Sequence, residues 1–219
     1  MTDKDSVLKN TEAFVKKTLK NAEGGHDWFH IQRVLNNAKL IAKTEDVDEF
    51  VVALGALLHD IADAKFYDGD ETIGPKMARE FLEKEQVNEI TILHIENIIN
   101  FISFKSSLSS GVKFTSPELD VIQDADRLDA IGAIGIARCF NYGGFKKRAL
   151  YDPEIAHNLK MTKEEYKKST APTINHFYEK LLLLKDKMNT KTGKQIATNR
   201  HLFMKQFLDQ FHNEWNGIS

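Results

Sequence analysis

Apolar positions recur at helical spacing along almost the whole chain. From Ser6 to Leu19 they fall at Val7, Leu8, Phe14, Val15 and Leu19, one stripe of an amphipathic helix. Trp28 to Lys43 repeats the pattern with Ile31, Val34, Leu35, Ala38, Ile41 and Ala42. Asp48 is placed to cap a third helix, Glu49 to about Ile61. That segment is apolar nearly all round, through Phe50, Val51, Val52, Leu54, Ala56, Leu57 and Leu58, which marks it as a buried central helix. Gly74 to Glu83 and Asn88 to Ser103 read as two more helices. The second is dense in β-branched residues (Ile90, Ile92, Ile95, Ile98, Ile99, Ile102), but it is longer than a normal strand and its spacing is helical.

Lys65 to Thr72 and Lys105 to Thr115 read as loops. Ser116-Pro117-Glu118 is a helix start, with a cap, a first-turn proline and an early acid. The pattern carries on to about Phe140 despite Gly132 and Gly135. Tyr142-Gly143-Gly144-Phe145 then opens a loop that runs past Pro153. Thr162-Lys163-Glu164-Glu165 has the form of a capping box. Two final helices follow, about Thr173 to Met188 and Gly193 to Trp215. The stripe Phe203, Phe207, Phe211 and Trp215 reads as core of the last one; a face joining two copies into a homodimer is the alternative. No segment alternates strictly, so the expected fold is all-α, about two-thirds or more helical.

Composition narrows the classes. In 219 residues, 42% are hydrophobic and 28% charged, enough for one real core. Lys and Arg number 30 against 32 Asp and Glu, a net charge of −2, which removes the electrostatic case for a nucleic-acid partner. A single cysteine, Cys139, excludes a disulfide framework and suits a reducing compartment, so a cytoplasmic location is expected. The longest apolar run, Phe50 to Leu58, falls far short of the roughly 20 residues that span a bilayer. Met1 to Ser6 is charged and lacks the apolar stretch of a secretory signal.

Three segments carry candidate chemistry. His59-Asp60 ends the most apolar helix, where an unpaired charge would be heavily penalised and a divalent cation would offset the cost. Gly25-His26-Asp27-Trp28-Phe29-His30 opens the second helix. Val121 to Asp129 sets Asp124, Asp126 and Asp129 inside an otherwise apolar helix. At about 100° per residue, Asp129 falls within the arc of Ile122, Ala125 and Leu128, Asp126 lies at its edge, and Asp124 and Arg127 point further away.

The ordered pattern His30 … His59-Asp60 … Asp126 resembles the HD-domain metal-dependent phosphohydrolases. The words Gly25-His26-Asp27-x-x-His30-x-x-Arg33-Val34, Leu57-Leu58-His59-Asp60-Ile61-x-Asp63-x-Lys65-Phe66 and Asp124-Ala125-Asp126-Arg127-Leu128-Asp129 resemble a small bacterial subgroup of that family, as do Gly143-Gly144 and Met188-Asn189-Thr190. The resemblance covers nearly the whole chain. It implies a single HD domain over 1–219, with a core of about 24–140 and C-terminal helices over about 162–216. It implies His30, His59, Asp60 and Asp126 as metal ligands, with His26 the alternative to His30 and Asp124 the alternative to Asp126. It implies Asp63 as the carboxylate that orients or deprotonates water. Lys65 and, more weakly, Lys105 and Arg127 are the cations to hold a phosphate chain. The implied cofactor is a divalent ion, Mn²⁺ first and Mg²⁺, Fe²⁺, Co²⁺ or Zn²⁺ as alternatives. The implied reaction is hydrolysis of a nucleoside triphosphate to monophosphate and pyrophosphate. Nucleoside 5′-monophosphate dephosphorylation, cyclic-nucleotide cleavage and a non-catalytic nucleotide-sensing module are the competing readings. His94, His157, His176, His201 and His212 show no ligand spacing and read as packing or surface residues.

Overall fold

Side chains that accept backbone N–H groups start the helices close to where the pattern places them. The computed structural model describes residues 3–20, 22, 25–62, 70, 72–102, 114–162, 165 and 168–218. The expected loops at Lys65 to Thr72 and Lys105 to Thr115 lie largely outside these residues. Helix α1 is Lys4–Thr18, α2 Trp28–Ala42, α3 Glu49–Leu58, α4 Ile73–Lys84, α5 Glu89–Phe101, α6 Pro117–Asp129 and α7 Gly132–Phe145. A short α8, Asn175–Glu179, leads into a 3₁₀ helix, Leu181–Lys187, and α9 is Lys191–Trp215. Asp27 caps α2 by accepting from His30 N, Asp48 caps α3 by accepting from Phe50 N and Val51 N, and Asn88 caps α5 by accepting from Thr91 N. The β-branched run of α5 is therefore helical. The structure is 69% helical, with no strand among the described residues, and the all-α expectation holds.

The chain divides into two compact units, Met1–Asp126 and Arg127–Ser219. In the first, α3 lies at the centre. Every residue from Val51 to Leu58 is buried, and α3 packs against α1, α2 and α5, while α4 packs on α5. Each such apolar side chain contributes about 1.5–3 kcal/mol when fully buried. Gly55 permits the close approach: a Cβ there would stand 2.5 Å from Ile122 Cδ1 and 3.4 Å from Ile98 Cγ2. Three polar side chains then fix α6 against its neighbours. Asn37 Nδ2 donates to Ala125 O at 3.3 Å, Asp48 N donates to Glu118 Oε1 at 3.0 Å, and Gln123 Nε2 donates to Phe101 O at 3.1 Å.

The second unit departs from the sequence reading in three places. The helix expected to run to Phe140 breaks after Asp129, because Gly132 takes φ +76°, a left-handed conformation open to glycine. A new helix, α7, starts there and continues through Phe145, where a loop was expected. Its Gly143 packs so closely on Thr173 that a Cβ would clash, and this packing overrides the weak helix propensity of Gly143-Gly144. The single helix expected over Thr173 to Met188 is interrupted at Lys180 (φ −143°, ψ −57°) and resumes as 3₁₀. The aromatic stripe of α9 is core only in part: Phe207 packs on Phe140 and the buried Phe177. Ala197, Met204 and Leu208 form the buried face, whereas Phe203 and Trp215 are each 48% exposed. The capping box forms as expected: Glu165 N donates to Thr162 Oγ1 and Thr162 N to Glu165 Oε2. Cys139 is partly buried, and burial pushes its thiol up to about 12, so it is no ready nucleophile.

Two substitutions test the packing of the first unit. Gly55→Val should lose about 1–3 kcal/mol through overpacking between α3 and Ile122. Asp48→Ala should lose about 1 kcal/mol through loss of the α3 cap. Urea unfolding followed by circular dichroism reads both; wild-type midpoints would contradict the assignments.

Candidate functional site

The start of α2 is fixed by Asp27, whose Oδ1 accepts from His30 N at 2.9 Å. This places His30 in the first turn and leaves His26 just ahead of the helix, the two rings edge to face with centroids 5.9 Å apart. The His30 imidazole also meets that of His59 edge to face, at 5.5 Å. His59 follows directly on α3. Its Nδ1–H donates to Ala56 O at 2.9 Å, which selects the tautomer whose Nε2 carries the lone pair. Both imidazoles are buried, His30 at 2% exposure and His59 at 8%.

Carboxylates surround these rings. Asp126 of α6 brings Oδ1 to 3.5 Å from His30 Nε2, and His26 Nδ1 lies 2.5 Å from Asp60 Oδ2. Two groups of donor atoms result, each mutually within 4.8 Å: His26 with His30 and Asp60, and His30 with His59 and Asp126. His30 belongs to both. Burial works to raise the Asp60 carboxyl, but the hydrogen bond from His26 and the charges of His59, His26 and His30 outweigh it, so its pKa lies below the ordinary value. Imidazole nitrogens with carboxylate oxygens make a mixed donor set. Donors about 2.0–2.2 Å from one ion stand roughly 3–4 Å apart, so the cluster fits a divalent cation.

The four residues that the resemblance implies as ligands are therefore divided between two groups that share His30: His59 and Asp126 in one, Asp60 in the other. Asp126, not Asp124, shares the cluster. Asp124 corrects the helical-wheel reading: it is fully buried, because α6 hides a broad arc that includes Val121, Ile122, Ala125, Leu128 and Asp129 rather than one narrow face. Asp63, Lys65 and Lys105 lie outside the described residues. Arg127 Nη1 donates to Lys187 O at 2.6 Å, a bond within the second unit. His26 is the residue whose part the sequence left open: it stands in the Gly25-His26-Asp27 word, but its partner Asp60 is 34 residues away. Among the described residues, none of the five other histidines joins either cluster.

The HD domain family model matches residues 28–131, a span that holds His30, His59, Asp60 and Asp126. The solved structure of an HD-superfamily hydrolase from Bacillus thuringiensis is 42% identical, with a TM-score of 0.79, covering 98% of this chain and 99% of that one. The chain belongs to the HD-domain hydrolase family. Another relative of this HD hydrolase is YpgQ of Bacillus subtilis, 36% identical over 216 residues, 96% of each chain. The crystal structure of YpgQ in complex with ADP superposes with a TM-score of 0.75 at 33% identity, covering 98% of this chain and 97% of that one. HD domains bind divalent metals, which agrees with the donor set. Among the described residues, no helix of this HD hydrolase is long and apolar enough to cross a membrane.

The lowered Asp60 pKa has a measurable consequence in the ion-free protein. A carboxyl held below its unfolded value stabilises the fold above that value, and the contribution is lost as pH falls through the folded pKa. Asp60→Asn should therefore be less stable than wild type at neutral pH, with a gap that closes below about pH 4. Thermal melts in chelator across that range read the gap; a pH-independent difference would contradict it.

Proposed function

We propose that His30, His59, Asp60 and Asp126 hold a divalent metal ion, Mn²⁺ first among candidates, and that the enzyme hydrolyses a small nucleotide. The preferred reaction is nucleoside triphosphate to monophosphate and pyrophosphate. The observation that carries the reading is the meeting of the buried His30 and His59 imidazoles with Asp126, and of His30 with Asp60, in two donor groups that share His30. The ADP complex of YpgQ supports a nucleotide ligand.

A bound divalent ion acidifies water and neutralises charge at the phosphorus centre. The protein's own groups supply the rest. His59, held by Ala56 O, presents Nε2 in a fixed direction, and His30 sits beside it out of bulk water. The Asp126 side chain, 42% exposed, lies on the open side, where a substrate enters. Asp63, three residues after Asp60 in the sequence, takes the proton of the attacking water. That oxygen bonds to the α-phosphorus as the bond to the α–β bridging oxygen breaks, and pyrophosphate leaves. Lys65, with Lys105, pairs with the phosphate oxygens.

A nucleotide panel with Mn²⁺, Mg²⁺ and Co²⁺, scoring pyrophosphate and orthophosphate separately, tests the reaction. Pyrophosphate from triphosphates is expected. Orthophosphate from monophosphates, or opening of cyclic nucleotides, would replace this reading with another hydrolysis. Tight binding without turnover would replace it with a sensing module. His59→Ala and Asp60→Ala should lose bound metal and turnover together; full activity in either would overturn the site. Asp63→Ala should keep the metal and slow turnover by roughly 10²–10⁴.

A further inference from the structure

His26 and His30 both stand within reach of the carboxylates, yet the two contacts differ in kind. His30 Nε2 and Asp126 Oδ1 are 3.5 Å apart, the separation that two ligands of one ion take. His26 Nδ1 and Asp60 Oδ2 are 2.5 Å apart, closer than two donors of one ion stand and shorter than an ordinary N–H···O hydrogen bond, a contact that requires a proton between the two atoms. Exposure separates them as well, since the His26 side chain is 35% open to solvent and that of His30 only 3%.

Resting on the metal reading above, we propose that His26 is a positioning residue, not a ligand. Its Nδ1–H holds Asp60 Oδ2 and leaves Oδ1 to face the ion. A carboxylate following directly on the last turn of a helix would otherwise rotate freely or bind through both oxygens. One oxygen tied by a hydrogen-bond donor fixes the plane of the group and confines it to one-point coordination. The role is that of a partner behind the ligand, whose removal typically weakens metal affinity about 10–100-fold. His26 lies in a turn ahead of α2, so its replacement leaves the α2 cap, Asp27, in place.

Mn²⁺ alone, without substrate, is the probe. Titration calorimetry reads affinity, and pulsed electron paramagnetic resonance counts imidazole nitrogens coupled to the ion. Wild type should show two, from His30 and His59. His26→Ala should bind Mn²⁺ about 10–100-fold more weakly and still show two. His26→Asn, whose amide places a donor where Nδ1 stood, should recover affinity to within about threefold of wild type. Three couplings in wild type, one coupling lost in His26→Ala, unchanged affinity in His26→Ala, or no recovery in His26→Asn would each overturn the proposal alone. A wild-type protein that binds no Mn²⁺ would overturn the metal reading and this inference with it.

Discussion

The helix Glu49–Leu58 buries every residue from Val51 to Leu58, so none of its flanks is left to water. A helix so apolar can exist only if other helices cover it. That need determines the surroundings: α1, α2 and α5 pack on it, and Gly55 lets Ile122 of α6 come close. His59 and Asp60 follow immediately, at the point where the covering helices converge. His30 arrives on α2 and Asp126 on α6 because those helices are the cover.

Polar groups at the end of such a helix need partners, and the partners explain the site's form. Ala56 O accepts from His59 Nδ1, Asp27 accepts from the His30 backbone N–H, and Asp60 shares a proton with His26 Nδ1. The His59 imidazole and the Asp60 carboxylate are thereby oriented before any ligand arrives, which reduces the ordering that binding would otherwise require. Exposure rises from the two buried rings to the Asp126 side chain, 42% open to solvent.

Most of the first unit was legible because its helices announce themselves through caps and stripes: Asp48 and Asn88 start helices at the residues expected. What was hidden depends on φ angles and on distant neighbours. Gly132 could have continued a helix, and only its left-handed backbone ends α6 and begins α7. Gly143 reads as a turn until Thr173, some thirty positions on, is packed against it. Asp124 looked peripheral because a wheel assumes one covered face, and α6 has a wider one. That His30, His59, Asp60 and Asp126 belong to neighbouring groups was legible from their order in the chain. The His26–Asp60 bond was not, since spacing along a chain says nothing about which ring meets which oxygen.

The termination of α3 at the site has an electrostatic side. Peptide dipoles aligned along a helix leave about half a negative charge at its C-terminal end. In water that charge is damped by solvent and salt, but α3 is buried from Val51 to its end at Leu58. Its carbonyl end therefore projects a field into the cluster with little shielding, and the sign of that field favours a cation. Hydrophobic burial, chosen for stability, thus also polarises the place where charge is handled.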